Sequence, residues 1–143
     1  MEPKILLDAE FAQVTFTPSI RLGKITWKRK PTADEYKKGF STLLEYAQNE
    51  ELVENFMSDI RNQGVVAPEN RKWFETEMLP AAIDAGLKRA AVIFDGNIFK
   101  KYYLNILIGV SNKFGLPLKL FNSEEEALKW IHQFELEKAE NIE

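Results

Sequence analysis

The residues best suited to chemistry in this sequence are two aspartates and an arginine, Asp59, Asp95 and Arg61. Each aspartate follows an apolar run that predicts a strand, and Arg61 lies close to the first of them. If the two strands are parallel, both carboxylates project from the same edge of a sheet, where α/β proteins place their ligands. Two carboxylates and a guanidinium there could form an acid–base or phosphate-handling site. The alternative is structural, because strand-end aspartates often cap the next turn or pair with a nearby arginine.

The loops around these aspartates contain the other polar candidates. Asn62 and Gln63 extend the loop after Asp59, and Asn97 follows Asp95. We expect the first loop to be a recognition loop, because binding residues commonly lie on loops that a rigid sheet positions. The sequence contains no G-x-S-x-G, P-loop or G-x-G-x-x-G motif, so we assign no catalytic residue.

The sequence offers little for binding a metal. It has no cysteine and a single histidine, His132, which lies beside the apolar stripe of its predicted helix. A transition-metal site needs several imidazole, thiolate or carboxylate ligands that converge. The acidic run 124–126 has a structural explanation, because carboxylates in the first turn of a helix interact favourably with its dipole. We therefore predict no metal and no cofactor.

The composition predicts a single globular domain over residues 1–143, and we expect the chain end, residues 137–143, to fray. Hydrophobic residues make up 45% of the chain, charged residues 29%, and the net charge is −3. This acidic balance argues against a nucleic-acid surface, which needs a concentrated basic face. No apolar run approaches the roughly 20 residues that span a bilayer, and the N-terminus lacks a signal-peptide pattern. We therefore expect a cytoplasmic protein without membrane insertion.

Hydrophobic periodicity predicts the elements that position these residues. Strands are expected at 4–8, at 11–17 and, with a bulge or break at Gly23, at 20–27; these should form an antiparallel meander. Capping boxes at Thr32 and Ser123 and a proline at 68 predict the starts of three helices. Pro80 should kink the helix that begins at Pro68. Strands ending near 59, 94 and 121 alternate with helices, which predicts a largely parallel second part.

The helix predicted at 99–114 suggests a partner surface. We expect its widest apolar stripe to be buried, with the members Phe99, Tyr102, Tyr103, Ile106, Leu107, Val110 and Phe114. Leu104 and Ile108 then fall on the opposite face, near Lys101 and Asn105. Since a monomer would prefer polar residues there, we predict a homodimer or a protein partner contact through these four residues. Burial by another segment of the same chain is the alternative.

Several segments of the sequence resemble the uncharacterised bacterial members of the SpoIIAA-like superfamily, which have the STAS-type fold. The segments are SDIRNQGVV, NRKWFETEMLPAAIDAG and KRAAVIF, followed by a Phe-rich helix and a short last strand. The resemblance extends over residues 11–134. It implies an α/β fold with a mixed sheet, in which N-terminal antiparallel strands precede βα units and the helices pack on the sheet.

The same resemblance implies a binding role without catalysis. Better understood STAS domains are switches in which a loop serine is phosphorylated and the added charge releases a partner. Residues 59–64 contain no serine, and Ser58 precedes the loop, so we do not expect this switch. Related chains are also likened to lipid-binding lobes.

We therefore expect a non-enzymatic regulatory or binding module for a protein partner, a second copy or a small apolar ligand. A lipid or fatty-ligand carrier is one alternative. A small enzyme or phosphate-binding protein that uses Asp59, Arg61 and Asp95 is the other.

Overall fold

The computed structural model describes residues 3–140 and shows an α/β fold built on one mixed sheet. Six strands lie side by side in chain order. They are β1 (Lys4–Asp8), β2 (Ala12–Thr17), β3 (Leu22–Trp27), β4 (Asn55–Asp59), β5 (Arg89–Ile93) and β6 (Leu118–Phe121). The first three pair antiparallel, and β3 to β6 pair parallel. The fold class predicted from the sequence is confirmed.

Helices cover both faces of this sheet. They are α1 (Ala33–Asn49), α2 (Pro68–Trp73), α3 (Leu79–Asp84), α4 (Ile98–Lys113) and α5 (Glu124–Glu140). The capping box of α1 is present, since the Thr32 hydroxyl accepts from the backbone of Glu35 and the Glu35 side chain accepts from the backbone of Thr32. A larger core lies on the face covered by α1 to α4, and a smaller core lies beneath α5.

A π-helical turn, Phe74–Met78, joins α2 to α3 just before Pro80. The backbone amide of Leu79 bonds to the carbonyl of Phe74, five residues earlier. Because Pro80 has no N–H to continue the regular ladder, a change of helical pitch here is expected. The chain stays helical to Asp84, and Gly86 follows with a positive φ of 115°.

The bulge predicted at Gly23 is wrong, because β3 alternates regularly through this residue. Gly23 pairs with Phe16 on one side and Phe56 on the other. In the sequence, the alternation of apolar residues shifts by one position at Gly23. It does so because both faces of β3 are buried, and apolar side chains are therefore accommodated on either face. The glycine is needed for space: a Cβ at this position would lie 2.7 Å from each δ-carbon of Leu43.

The predicted orientation of α4 is only partly right. Leu107 is buried and Tyr103 and Val110 are half-buried as expected, but Phe99, Tyr102, Ile106 and Phe114 are exposed. The buried face instead carries Lys100, Leu104, Leu107 and Ser111. These buried residues recur at helical spacing, but the first and the last of them are polar. The stripe that packs on the sheet is therefore not the most apolar stripe of the sequence. Leu104 belongs to the core and cannot serve as the exposed centre of an interface.

A buried polar cluster fixes α5 against the sheet. The side-chain amide of Asn55 donates to the Ile20 carbonyl and to Glu135 of α5, and Arg89 donates to the Asn55 side chain.

Among the described residues, no helix is long and apolar enough to cross a membrane. The predicted fraying of residues 137–143 falls partly on 141–143, which lie outside the described residues, and stays a prediction.

Candidate functional site

The loops after β4 and β5 leave the same edge of the sheet, as the parallel pairing of the two strands requires. Asp59 ends β4 and is 7% exposed. Its Oδ1 accepts from Nε of Arg61 at 3.0 Å and its Oδ2 accepts from Nη2 at 2.7 Å. Burial by itself raises the pKa of Asp59, but the hydrogen bonds and the charge of Arg61 outweigh it and leave the pKa below its ordinary value. The arginine therefore neutralises a carboxylate that the fold has partly desolvated.

Asp95 and Asn97 shape the second loop. Asp95 Oδ1 accepts from the backbone amide of Asn97 at 2.9 Å, and this bond is the main reason why the pKa of Asp95 is lowered. The Asn97 side chain caps α4 by accepting from the amides of Phe99 and Lys100. Within the described part of the chain, no hydrogen bond or ion pair joins Asp59 or Arg61 to Asp95 or Asn97.

Lys100 connects the two loops and was missed in the sequence. Its Nζ donates to the carbonyls of Ile60 and Arg61 at 3.0 and 3.4 Å and to Oδ2 of Asp95 at 3.2 Å. The side chain is 7% exposed, so its charge depends on these acceptors. Its position in the sequence could have identified it, because Lys100 lies one helical turn before Leu104 on the buried face of α4.

The remaining sequence candidates lie in different environments. Asn62, Lys101 and Asn105 are exposed, Ile108 is half-buried and Leu104 is buried. Gln63 is 4% exposed and points toward the interior of the protein, where its side chain forms part of a cavity wall. The predicted recognition loop thus reaches the core through Gln63.

This cavity lies between the sheet and helices α1 to α4 and has a volume of about 110 Å³. Its wall is mostly aliphatic and aromatic, with contributions from Phe40, Leu43 and Leu107. Two wall residues, Val65 and Phe99, are 50% and 73% exposed, so the wall reaches the protein surface beside the loop after β4. An apolar cavity of roughly 150 Å³ accommodates a molecule the size of benzene, so this one suits a small apolar group.

Few polar side chains interrupt the apolar wall. They are Tyr36, Ser58, Gln63, Arg71, Lys100 and Tyr103. Burial raises the pKa of Tyr103 well above its ordinary value, and the charge of Glu75 adds to this effect. No group of three or more histidine, aspartate or glutamate residues that could hold a metal occurs in the part of the chain that is described. The site is therefore suited to binding an apolar molecule with a small polar group.

Comparison with known proteins shows the fold of the chain. No family model matches the sequence, and no curated protein matches it. A solved structure of an uncharacterised protein of the DUF3478 family from Shewanella loihica PV-4, with a SpoIIAA-like fold, is similar to this chain. The two share 18% identity and a TM-score of 0.53, over 91% of this chain and 92% of the other. This chain therefore has a SpoIIAA-like fold.

Proposed function

We propose that this protein is a non-enzymatic binding module that holds a small apolar or fatty ligand in the cavity between the sheet and helices α1 to α4. The observation that supports the proposal is the cavity itself, about 110 Å³ in volume and almost wholly apolar. Protein interiors are normally close-packed, with few voids larger than a water molecule. A cavity of this size that reaches the surface is the kind of site in which small molecules bind.

The strand-end carboxylates favour this proposal over an enzyme. Asp59 is held by Nε and Nη2 of the Arg61 guanidinium, and Asp95 accepts from Asn97 and Lys100. A general base is most effective when its pKa lies near the operating pH. Since these partners lower the pKa of both carboxylates, a structural role accounts for them.

The test is native mass spectrometry of the purified protein, followed by calorimetric titration with benzene, a small uncharged apolar molecule. We expect a co-purified small molecule, or saturable benzene binding. Ala82 lines the cavity, so Ala82→Leu should fill part of it and weaken benzene binding several-fold. Ala81, its half-buried neighbour outside the wall, provides the matched control Ala81→Leu. Absence of any ligand or benzene binding, or equal effects of the two variants, would contradict the proposal.

A homodimer or protein contact is the second candidate function. It is favoured by the exposed apolar side chains of Ile98, Phe99 and Tyr102, which are 74%, 73% and 71% exposed. Exposed apolar residues that cluster on one surface are typical of interaction sites. Sedimentation velocity over rising concentration should then show a dimer that Ile98→Ser weakens. Lys129→Ser, at an exposed residue of α5 far from this surface, should leave the dimer unchanged. A monomer over the whole range would exclude self-association.

A further inference from the structure

The charges in the cavity wall indicate what kind of ligand would fit, provided that the cavity binds a ligand as proposed above. The charged residues described in the wall are Arg71 and Lys100, and no aspartate or glutamate is among them. Lys100 is already bonded to two carbonyls and to Asp95. Arg71 differs, because its guanidinium makes no hydrogen bond or ion pair with any described residue and lies 5.2 Å from the ring centre of Tyr103. A cation without an anionic partner thus borders an apolar cavity.

Tyr103 provides a second unpartnered group at the same place. Its hydroxyl is buried and has no hydrogen-bond partner in the described structure. A buried hydroxyl without a partner is destabilising, so such groups in native proteins usually mark a missing partner. Because burial opposes ionisation, this phenol keeps its proton and can donate it in a hydrogen bond.

Ser58 adds a hydroxyl to the cavity wall from the sheet. It lies on β4 and is 5% exposed. Phe56, Ser58 and Ile60 alternate along the chain and all line the cavity. The hydroxyl is therefore on the cavity side of β4, surrounded by apolar neighbours.

We propose that the ligand is a small amphiphile with a carboxylate head, which Arg71 and Tyr103 bind while its short hydrocarbon chain lies among Phe40, Leu43 and Leu107. A carboxylate accepts two parallel bonds from a guanidinium and can still accept one from a phenol. It would supply the anion that Arg71 lacks and the acceptor that Tyr103 lacks. A neutral apolar molecule would satisfy neither group, and a cationic amphiphile would be repelled by Arg71 and Lys100.

The experiment compares butanoate with 1-butanol, which share a chain length, differ in the charge of the head and are about the size of benzene. Each is titrated at neutral pH against the full chain by calorimetry. A hydrogen bond to a charged group strengthens binding by a factor of about ten or more, so butanoate should bind at least tenfold more tightly than 1-butanol. Equal or tighter binding of 1-butanol would overturn the inference and leave the proposed apolar site intact. Failure of both compounds and of benzene to bind would overturn both proposals.

Matched variants locate the head group. Arg71→Gln should lower the affinity for butanoate about tenfold and leave that for 1-butanol unchanged, and Tyr103→Phe should have a smaller effect of the same kind. Lys72→Gln makes the same change of charge at the exposed neighbouring residue outside the wall and should change neither affinity. Far-UV circular dichroism verifies that each variant is folded. Equal losses in Arg71→Gln and Lys72→Gln would show a general charge effect and overturn the assignment of the head group.

Discussion

The ammonium group of Lys100 donates a hydrogen bond to the carbonyl of Ile60, 3.0 Å away and 40 residues earlier in the chain. Through this bond and its contact with Asp95, one side chain of α4 holds both loops at the carboxyl edge of the sheet. We expect Lys100→Met to lower the free energy of unfolding by about 1–3 kcal/mol, because buried acceptors lose their donor. Urea denaturation measures the change.

The control for Lys100 is its neighbour. Lys101 is exposed, so Lys101→Met should change the free energy of unfolding by less than about 0.5 kcal/mol. Equal stability of the Lys100→Met variant and the wild type would show that the ammonium group is not needed to hold the loops.

Gly23 and Gly109 should respond oppositely to alanine. At Gly23, an added Cβ would lie 2.7 Å from both δ-carbons of Leu43 and 3.0 Å from Val53, so we expect a loss of about 1–3 kcal/mol from overpacking. At Gly109, inside α4, a Cβ would meet nothing within 4 Å, and the higher helix propensity of alanine should add about 0.8–1 kcal/mol. Thermal and urea unfolding of the two variants would measure both changes. A stabilised Gly23→Ala variant would contradict the close packing of β3 against α1.

The carboxylate of Glu35 should make stability depend on acid. Arg29 donates two hydrogen bonds to it, and the backbone of Thr32 donates another, which lowers the pKa of Glu35 from 4.5 to about 2. A group with a depressed pKa in the folded state stabilises the protein fully above the unfolded value and loses this contribution as the pH falls through the folded value.

The wild type should therefore be more stable than Glu35→Gln at neutral pH, and the difference should shrink between pH 4.5 and about 2. Urea midpoints measured across this range would show it. Glu45, an exposed residue of the same helix, gives the control Glu45→Gln, which removes a carboxylate outside the capping box. A constant difference between wild type and Glu35→Gln would contradict the role of the ionised carboxylate.

Local signals in the sequence predicted much of the fold. The Thr32 and Glu35 capping box, the proline that opens α2 and the alternation of β2 were sufficient because each depends on residues close together in the chain. The parallel pairing of β4 and β5 followed from the helices between the strands. The need for a glycine at position 23 could not be predicted from the sequence. Leu43, which fills the space beside this glycine, lies in a helix 20 residues later.

The cavity could not be predicted for a related reason. It is the space left between side chains of α1, β4, α2 and α4. The hydrophobic periodicity of a single segment therefore contains no information about it. The sequence drew attention to the loop after Asp59 but not to Arg71, Lys100 or Tyr103, which lie on helices. A charged residue on a buried helical face is meaningful only when its acceptors are known, and those of Lys100 are backbone carbonyls.

The orientation of α4 gives a direct test, because the sequence and the structure bury different faces. Leu104 is 3% exposed and Ile106 is 45% exposed, although the apolar stripe of the sequence predicted the reverse. Leu104→Ala should therefore lower the free energy of unfolding by about 2–5 kcal/mol, through lost burial and an enlarged cavity. Ile106→Ala, on the same helix, should change it by less than about 0.5 kcal/mol. Urea denaturation of both variants decides which face of α4 packs on the sheet. A larger loss of unfolding free energy for Ile106→Ala would mean that the apolar stripe packs there, and not the row from Lys100 to Ser111.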